Sequence, residues 1–325
     1  MAGTLLLGAD GGNTKTIALV AAPDGAILGA GRSGNSDLYN ADSVDAALAE
    51  ISVAANAALA AAGASSADVR ASCFSLAGAD WPEDFELLRR RLPDSLDLAA
   101  APLVVNDAVG AIRAGTPDGV GTAVVCGTYG VSSGRNAAGD VFHLGFWPDS
   151  CGARPLGREA LAAVWRSDLG IGPETSLTRR ALDTYSVADP MALLHELTRR
   201  DGPGQNAAER LAPAVLDQAE AGDEVALAIV AEQGRILGDQ TRVCAERVGL
   251  LGGEFPVVIA GGVFRHPSRL LAETLMERVP GGRPVPATHE PVVGALLFAF
   301  DHAGITPDAE RLAASIPPAA TFATT

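Results

Sequence analysis

Short apolar segments separated by glycine-rich loops dominate the first thirty residues. The apolar segments are 4–9, 17–22 and 26–29, and we predict that each is a β-strand. Asp10–Thr16 joins the first two strands, and Pro23-Asp24-Gly25 supplies turn residues before the third. Residues 122–147 repeat this order of strand, glycine loop, strand, turn and strand. The repeat indicates a duplicated fold, although two unrelated β-meanders would give the same pattern.

Elsewhere the apolar residues recur with the 3.6-residue period of amphipathic helices. Helices are predicted at 43–62, 82–91, 108–114, 157–167, 176–184, 190–200, 206–221, 223–248, 267–278 and 291–302. Buried strands are predicted at 69–76, 103–105 and 255–260, so the chain is expected to be an α/β protein. Glycine and proline at 115–119 end a helix, which places the domain boundary there and gives domains 1–115 and 116–325.

Composition narrows the class of protein. The 325 residues are 48% apolar, which is enough for a large core. The formal net charge of −15 disfavours nucleic acid or an anionic membrane as a partner. No apolar run appears long enough to span a membrane, so we expect a soluble, cytoplasmic protein. The four cysteines lack C-x-x-C spacing and are expected to be reduced thiols, and the five histidines show no metal-ligand spacing.

The first glycine loop contains the only lysine of the chain, Lys15, in the segment Asp10-Gly11-Gly12-Asn13-Thr14-Lys15-Thr16. It is not a Walker A loop, because Thr14 replaces the glycine before the lysine and a β-branched strand follows instead of a helix. Glycine lets backbone amides approach an anion, the threonines add hydroxyl groups, and the Asp10 carboxylate suits hydrated Mg²⁺. The pattern favours a phosphate-binding hairpin loop over an ordinary tight turn.

Three further motifs have a structural and a chemical interpretation. Asp107 follows a buried strand and opens a helix, which suits an N-cap and, compatibly with that, a carboxylate placed to accept a proton from a ligand. Gly261-Gly262-Val263 is either a strand-to-helix turn or exposed backbone on which a flat ligand lies. Gly130–Gly134 matches G-x-S-x-G, but the strand that follows argues against a serine hydrolase, whose nucleophile precedes a helix.

The order of these motifs resembles the actin-like sugar kinase and Hsp70 ATPase superfamily. Within it, the chain is similar to the N-acetylglucosamine kinases and the BadF/BcrA-type ATPases, from about residue 4 to about residue 303. The resemblance is strongest at 10–16, 106–108, 134–136, 157–161, 261–263 and 294–296. It implies a duplicated actin-like, ribonuclease H-like fold, with two domains around a nucleotide cleft and helix 291–302 packing back at the hinge.

The same resemblance implies roles for individual residues. Asp107 becomes the catalytic base, and Asp10 holds Mg²⁺ through water. The residues implied to bind ATP are Asp10, Gly11, Gly12, Asn13, Thr14, Lys15 and Thr16 in a first phosphate loop, Gly127, Thr128 and Gly130 in a second, and Gly261 and Gly262 under the adenosine. The residues implied to bind the sugar are Asn35, Gly78, Asn106, Asp107 and Asp149.

The implied activity is ATP-dependent phosphorylation of an amino sugar by a homodimer, with N-acetylglucosamine expected before glucosamine. The sequence departs from the family pattern in two places. The second loop contains Tyr129 where the family has G-T-G-S, which leaves open a non-catalytic sugar or nucleotide sensor. Pro148–Gly152 replaces the sugar-binding segment G-D-E-G-S, on which the choice between N-acetylglucosamine and glucosamine depends. The iron–sulfur activator branch is disfavoured, because no cysteine pair is placed to hold a cluster.

Overall fold

A computed structural model describes residues 4–145, 150–318 and 321, and it contains two five-stranded sheets. The first sheet has the order β3-β2-β1-β4-β5. Its strands are β1 (Leu5–Gly11), β2 (Thr16–Ala21), β3 (Ile27–Ser33), β4 (Val69–Leu76) and β5 (Leu103–Asn106). The first three form antiparallel hairpins, whereas β4 and β5 run parallel to β1 and therefore need crossover connections. The predicted three-strand start is confirmed.

The two crossovers of this sheet are helices α1 (Val44–Ala61) and α2 (Pro82–Leu96). Helix α1 is long and apolar enough to cross a membrane by length and composition, with a mean hydropathy of 1.4, so the expectation of no such run was wrong. One face of α1 nevertheless packs on the sheet: a Cβ at Gly31 would overlap the carbonyl oxygen of Ala54. The close approach makes α1 a core helix of this unit.

The opposite face of the first sheet is covered by α10 (Pro291–Ala303), which also packs against α3 (Asp107–Gly115). Two glycines permit these contacts. A Cβ at Gly8 would overlap the backbone of Leu296, and a Cβ at Gly294 would overlap the carbonyl oxygen of Gly110. Glycine is therefore required at both positions by close backbone packing rather than by a turn.

The second sheet has the order β10-β9-β6-β7-β8. Its strands are β6 (Gly121–Cys126), β7 (Gly130–Arg135), β8 (Val141–Leu144), β9 (Phe255–Ala260) and β10 (Gly282–Pro286), and β6 pairs with β9 in parallel. The associated helices are α4 (Ala153–Asp168), α5 (Leu177–Tyr185), α6 (Pro190–Thr198), α7 (Ala212–Glu220), α8 (Glu224–Arg247) and α9 (Leu270–Glu277). Helix α11 (Ala309–Ser315) and strand β10 were not predicted.

The helix predicted at 206–221 is divided. A 3₁₀ segment, Gln205–Leu211, precedes α7, and Pro213 lies in the first turn of α7. Proline has no N–H to donate within a continuous helix, and its fixed φ suits the first turn, so the division falls where the chemistry requires it.

The chain forms two compact units. The first comprises 1–121, 135–143 and 286–325, and the second comprises 122–134 and 144–285. Helix α10 thus belongs to the unit that begins the chain. The boundary near residue 115 remains a prediction made from the loop composition.

Gly294→Ala tests the close contact between α10 and α3. The new methyl group has no space beside the Gly110 carbonyl, so we expect the free energy of unfolding to fall by about 1–3 kcal/mol, measured by urea denaturation. Gly253→Ala is the matched control, because a Cβ there meets no atom within 4 Å. Equal stability of the two variants would contradict the packing argument.

Candidate active site

The carboxyl ends of β1, β4 and β5 meet at one edge of the first sheet. Asp10 lies opposite Ser75, and Leu76 lies opposite Asn106. The Ser75 hydroxyl donates to the carbonyl oxygen of Asp107 at 3.2 Å, which links β4 to the start of α3. Three carboxylates follow or end these strands: Asp10, Asp80 and Asp107. The parallel arrangement therefore gathers acidic side chains from distant parts of the sequence.

Asn106, not Asp107, is the N-cap of α3. Its Oδ1 accepts from the Ala108 amide at 3.1 Å, while its Nδ2 donates to Asp80 Oδ1 at 2.9 Å. Asp107 is the first helical residue, and its Oδ1 also accepts from Ala108, at 2.9 Å. Because Asn106 provides the cap, the carboxylate of Asp107 is not required to fill that position.

The loop after β3 joins the first glycine loop and the loop after β4. Asn13 Nδ2 donates to Asp37 Oδ2 at 2.7 Å, and the Asp37 amide donates to Asn35 Oδ1 at 3.0 Å. Gly78 has a φ of +80°, and a Cβ there would lie 2.7 Å from the Leu38 amide nitrogen. Asn35 and Gly78, both expected to bind sugar, thus lie around Asp37 in the first unit.

The first glycine loop is a tight hairpin with unengaged amides. The Gly12 amide donates to the Lys15 carbonyl at 3.0 Å, whereas the amides of Asn13 and Thr14 donate to no other described residue. The Thr16 hydroxyl is buried, with the Gly34 carbonyl oxygen at 2.8 Å and the Ser36 hydroxyl at 2.7 Å, so it supports the loop from inside. The free amides are the feature that an anion requires.

Burial and mutual repulsion raise the pKa values of the gathered carboxyls. Burial raises the pKa of Asp10 well above its usual value, Asp107 and Glu290 raise it further, and Lys15 and Ser75 oppose the shift. Burial also raises the pKa of Asp107 to about 6, although the Ala108 amide lowers it. The pKa of Asp80 rises to about 7 through burial and the charges of Asp107, Asp37 and Asp84. The edge therefore favours protons or cations.

The loop Gly127–Gly130 is fixed to the first turn of α4. The Ala153 amide donates to Gly127 O at 2.9 Å, and the Arg154 amide donates to Thr128 O at 3.1 Å. The amides of Thr128 and Tyr129 have no acceptor within the described ranges. Gly152 has a φ of +121°, and a Cβ there would lie 2.7 Å from Thr128 O. Glycine at 152 is what allows α4 to begin against this loop.

The Tyr129 ring lies against Arg154. The Arg154 guanidinium carbon is 5.2 Å from the ring centroid, and Nη1 donates to the phenol oxygen at 3.3 Å. Arg154 also forms an ion pair with Glu209 at 3.0 Å. Tyr129 thus adds an arginine–aromatic contact with the start of α4. A small residue at position 129, as in the G-T-G-S pattern, would not form this contact.

Gly261 and Gly262 differ in their surroundings. Gly261 has a φ of +102°, and a Cβ there would overlap the backbone of Cys126 at the end of β6. Around Gly262, a Cβ would meet no atom within 4 Å. Gly261 is therefore required by the turn, whereas the open backbone at Gly262 is compatible with a flat ligand.

Two sequence interpretations are settled by position. Ser132 of the G-x-S-x-G match is fully buried in β7 with its hydroxyl 3.2 Å from that of Thr241, so it is not an exposed nucleophile. The four cysteines are buried free thiols.

Asp149 lies outside the described residues. Among the residues that are described, no group of three or more potential ligands is arranged to hold a metal directly.

Asp37, Asp80, His143 and Glu290 were not predicted. Asp80 could have been found by the reasoning applied to Asp107, since it too follows a strand of the parallel set. His143 Nε2 lies 3.5 Å from Asp80 Oδ1, and Lys15 Nζ donates to Glu290 Oε2 at 3.0 Å. These two partnerships join residues far apart in sequence, and no local pattern indicates them.

Comparison with known proteins identifies the family of the chain. The sequence profile of the BadF/BadG/BcrA/BcrD ATPase family matches residues 7–299. The chain belongs to this ATPase family. The N-acetyl-D-glucosamine kinase of Dictyostelium discoideum is 27% identical to this chain over 238 residues, which cover 70% of this chain and 75% of that kinase.

Two further proteins are similar over most of their length. The N-acetylmuramic acid/N-acetylglucosamine kinase of Clostridium acetobutylicum is 26% identical over 274 residues, covering 82% of this chain and 88% of that kinase. A crystal structure from Chromobacterium violaceum, named provisionally as an N-acetylglucosamine kinase, has a TM-score of 0.65 at 22% identity and covers 91% of this chain and 99% of its own. The structural likeness confirms the predicted fold of two α/β domains.

Asp80→Asn tests the electrostatic cost of the carboxylate cluster in this family member. The raised pKa of Asp80 means that the folded state loses stability as pH rises from about 4 through about 7, and asparagine removes that loss. Between pH 5 and pH 8, the free energy of unfolding of the variant should rise relative to that of wild type by on the order of 2 kcal/mol, measured by urea denaturation at each pH.

The exposed Asp97→Asn is the control for the Asp80 variant, and its left-handed backbone also suits asparagine. It should keep the pH dependence of the wild type. If Asp80→Asn also keeps it, the carboxyl of Asp80 is not held under electrostatic stress.

Proposed function

We propose that the protein transfers a phosphoryl group from ATP to a hydroxyl of an amino sugar, with N-acetylglucosamine as the preferred acceptor. The observation that carries the proposal is the position of Asp107 at the same sheet edge as a glycine loop with unengaged amides. Membership of an ATPase family and similarity to two N-acetylglucosamine kinases support the choice of nucleotide and sugar.

In this proposal Asp107 accepts the proton of the sugar hydroxyl. A pKa of about 6 leaves the carboxylate ionised at neutral pH, yet makes it a better base than an ordinary aspartate. The Asn106 amide orients the start of α3, because it bonds to both Ala108 and Asp80. Asn35 and Gly78 would line the sugar position around Asp37, and the proposal also keeps Asp149 as a sugar ligand, as the family resemblance implies.

The phosphates would be bound mainly by backbone amides. In the first unit these are the amides of Asn13 and Thr14, with Gly11 and Gly12 allowing close approach and Lys15 adding charge. In the second unit the amides of Thr128 and Tyr129 would serve, with Gly127 and Gly130 at the ends of the loop. The open backbone of Gly262 would lie under the adenosine.

We assign Mg²⁺ to the first unit. Asp10 lies at the carboxylate-rich edge, and the raised pKa of its carboxyl, caused by burial and by the charges of Asp107 and Glu290, supports a cation there. We propose that Asp10 holds the ion through water, in keeping with the lack of three direct ligands among the described residues. When bound, Mg²⁺ would neutralise phosphate charge. The proposal also includes a homodimer, which the family resemblance implies, and a cytoplasmic location, which is the expectation from the sequence.

An ADP-release assay tests the proposed activity. Wild-type protein with ATP and Mg²⁺ is supplied with N-acetylglucosamine, glucosamine, N-acetylmannosamine or glucose, and we expect the highest kcat/KM with N-acetylglucosamine. Asp107→Asn preserves shape but removes the base, so kcat should fall by about 10²–10⁴-fold.

Asp97→Asn serves again as the control, since the same chemical change at an exposed helix end should leave kcat unaltered. Absence of sugar-stimulated ADP release from wild type would contradict the kinase proposal, and full turnover by Asp107→Asn would contradict the role of Asp107. A preference for glucosamine would keep the reaction class and change the acceptor.

A non-catalytic sugar or nucleotide sensor is the second candidate function, and Tyr129 is the observation that favours it. If the phenol obstructs nucleotide binding, Tyr129→Gly should lower the Kd for ATP by about tenfold in calorimetry, equivalent to 1.4 kcal/mol. We expect the opposite for a kinase, in which loss of the Arg154 contact loosens the loop and raises the Kd. Ordinary kinase activity in wild type would exclude the sensor.

A further inference from the structure

The only lysine of the chain is paired with a carboxylate 275 positions away. Lys15 Nζ donates to Glu290 Oε2 at 3.0 Å, and the two side chains are 23% and 11% exposed. Surface pairs in this protein are far more open: Arg235 and Glu232, for example, are 47% and 56% exposed. The Lys15–Glu290 pair is therefore partly shielded from water, and the attraction between opposite charges is stronger in such a place than in bulk water.

Helix capping does not explain the glutamate. Glu290 occupies the N-cap position of α10, but its side chain makes no capping hydrogen bond. Glutamate is also not among the residues preferred at that position, which are serine, threonine, aspartate and asparagine. The carboxylate instead accepts a hydrogen bond from the lysine of the first glycine loop.

The charge of Glu290 also acts on Asp10, the acidic residue of the first glycine loop. Glu290 raises the pKa of Asp10, whereas Lys15 lowers it. A phosphate that approaches the amides of Asn13 and Thr14 therefore meets a lysine already neutralised and a carboxylate close by. Both effects oppose the binding of an anion.

We propose that Glu290 is a counter-ion which holds Lys15 in the empty loop and competes with nucleotide phosphates for it, so that Glu290 weakens ADP binding and favours product release. This inference rests on the proposed function, because it takes the first loop to bind phosphates. In the empty protein the pair keeps a half-buried lysine compensated. In the nucleotide complex, phosphate oxygens replace the carboxylate as the partner of Lys15.

Glu290→Gln tests the proposal through ADP binding measured by calorimetry, with excess EDTA and separately with Mg²⁺. We expect the Kd for ADP to fall about three- to tenfold in both conditions, since the competing charge is gone. We also expect the ligand-free variant to melt at a lower temperature than wild type, because Lys15 loses its ionic partner. Tighter binding by a less stable protein is not expected of a purely structural ion pair.

An unchanged or higher Kd without Mg²⁺ would overturn the proposal. Weaker binding only with Mg²⁺ would also overturn it and would assign Glu290 to the metal instead. Glu232→Gln, the same change in the exposed pair with Arg235, is the control and should leave the Kd at the wild-type value. If wild type itself binds no ADP in either condition, the proposed function fails, and that result is distinct from a failure of the counter-ion role.

Discussion

The convergence of three parallel strand ends is the constraint on which the candidate site depends. Because β1, β4 and β5 run in the same direction, Asp10, Asp80 and Asp107 are gathered at one edge of the first sheet. Burial disfavours the charged form of each carboxyl, and neighbouring carboxylates add repulsion, so the pKa values of all three are raised. Such an arrangement is suited to binding cations and moving protons, and in the proposed function the glycine loop beside it would bind anions.

The two loops to which we assign phosphate binding are stabilised in different ways. In the first, a hairpin loop is stabilised from inside by the hydroxyl of Thr16, and Lys15 is held by a glutamate. In the second, the loop is fixed by the first amides of α4, and Arg154 is held by Tyr129 and Glu209. Each loop thus leaves two amides unengaged and has a cation nearby whose charge is already partly compensated.

Local patterns predicted most of the fold. Apolar periodicity located the hairpins and nearly every helix, and strand-end chemistry drew attention to Asp10 and Asp107. The division of the helix at 206–221 was not predicted, because the apolar spacing continues through Pro213. The partners of Lys15 and Asp80 could not be predicted, since they depend on where α10 and the segment carrying His143 pack against the first sheet.

The proposed reaction depends on Asp107 receiving the proton of the sugar hydroxyl. A crystal structure with N-acetylglucosamine and a non-hydrolysable ATP analogue is the sharpest test. One sugar hydroxyl should lie within about 2.6–3.2 Å of an Asp107 carboxylate oxygen, facing the terminal phosphate. A sugar bound with no hydroxyl near Asp107, or with the terminal phosphate turned away from that hydroxyl, would contradict it.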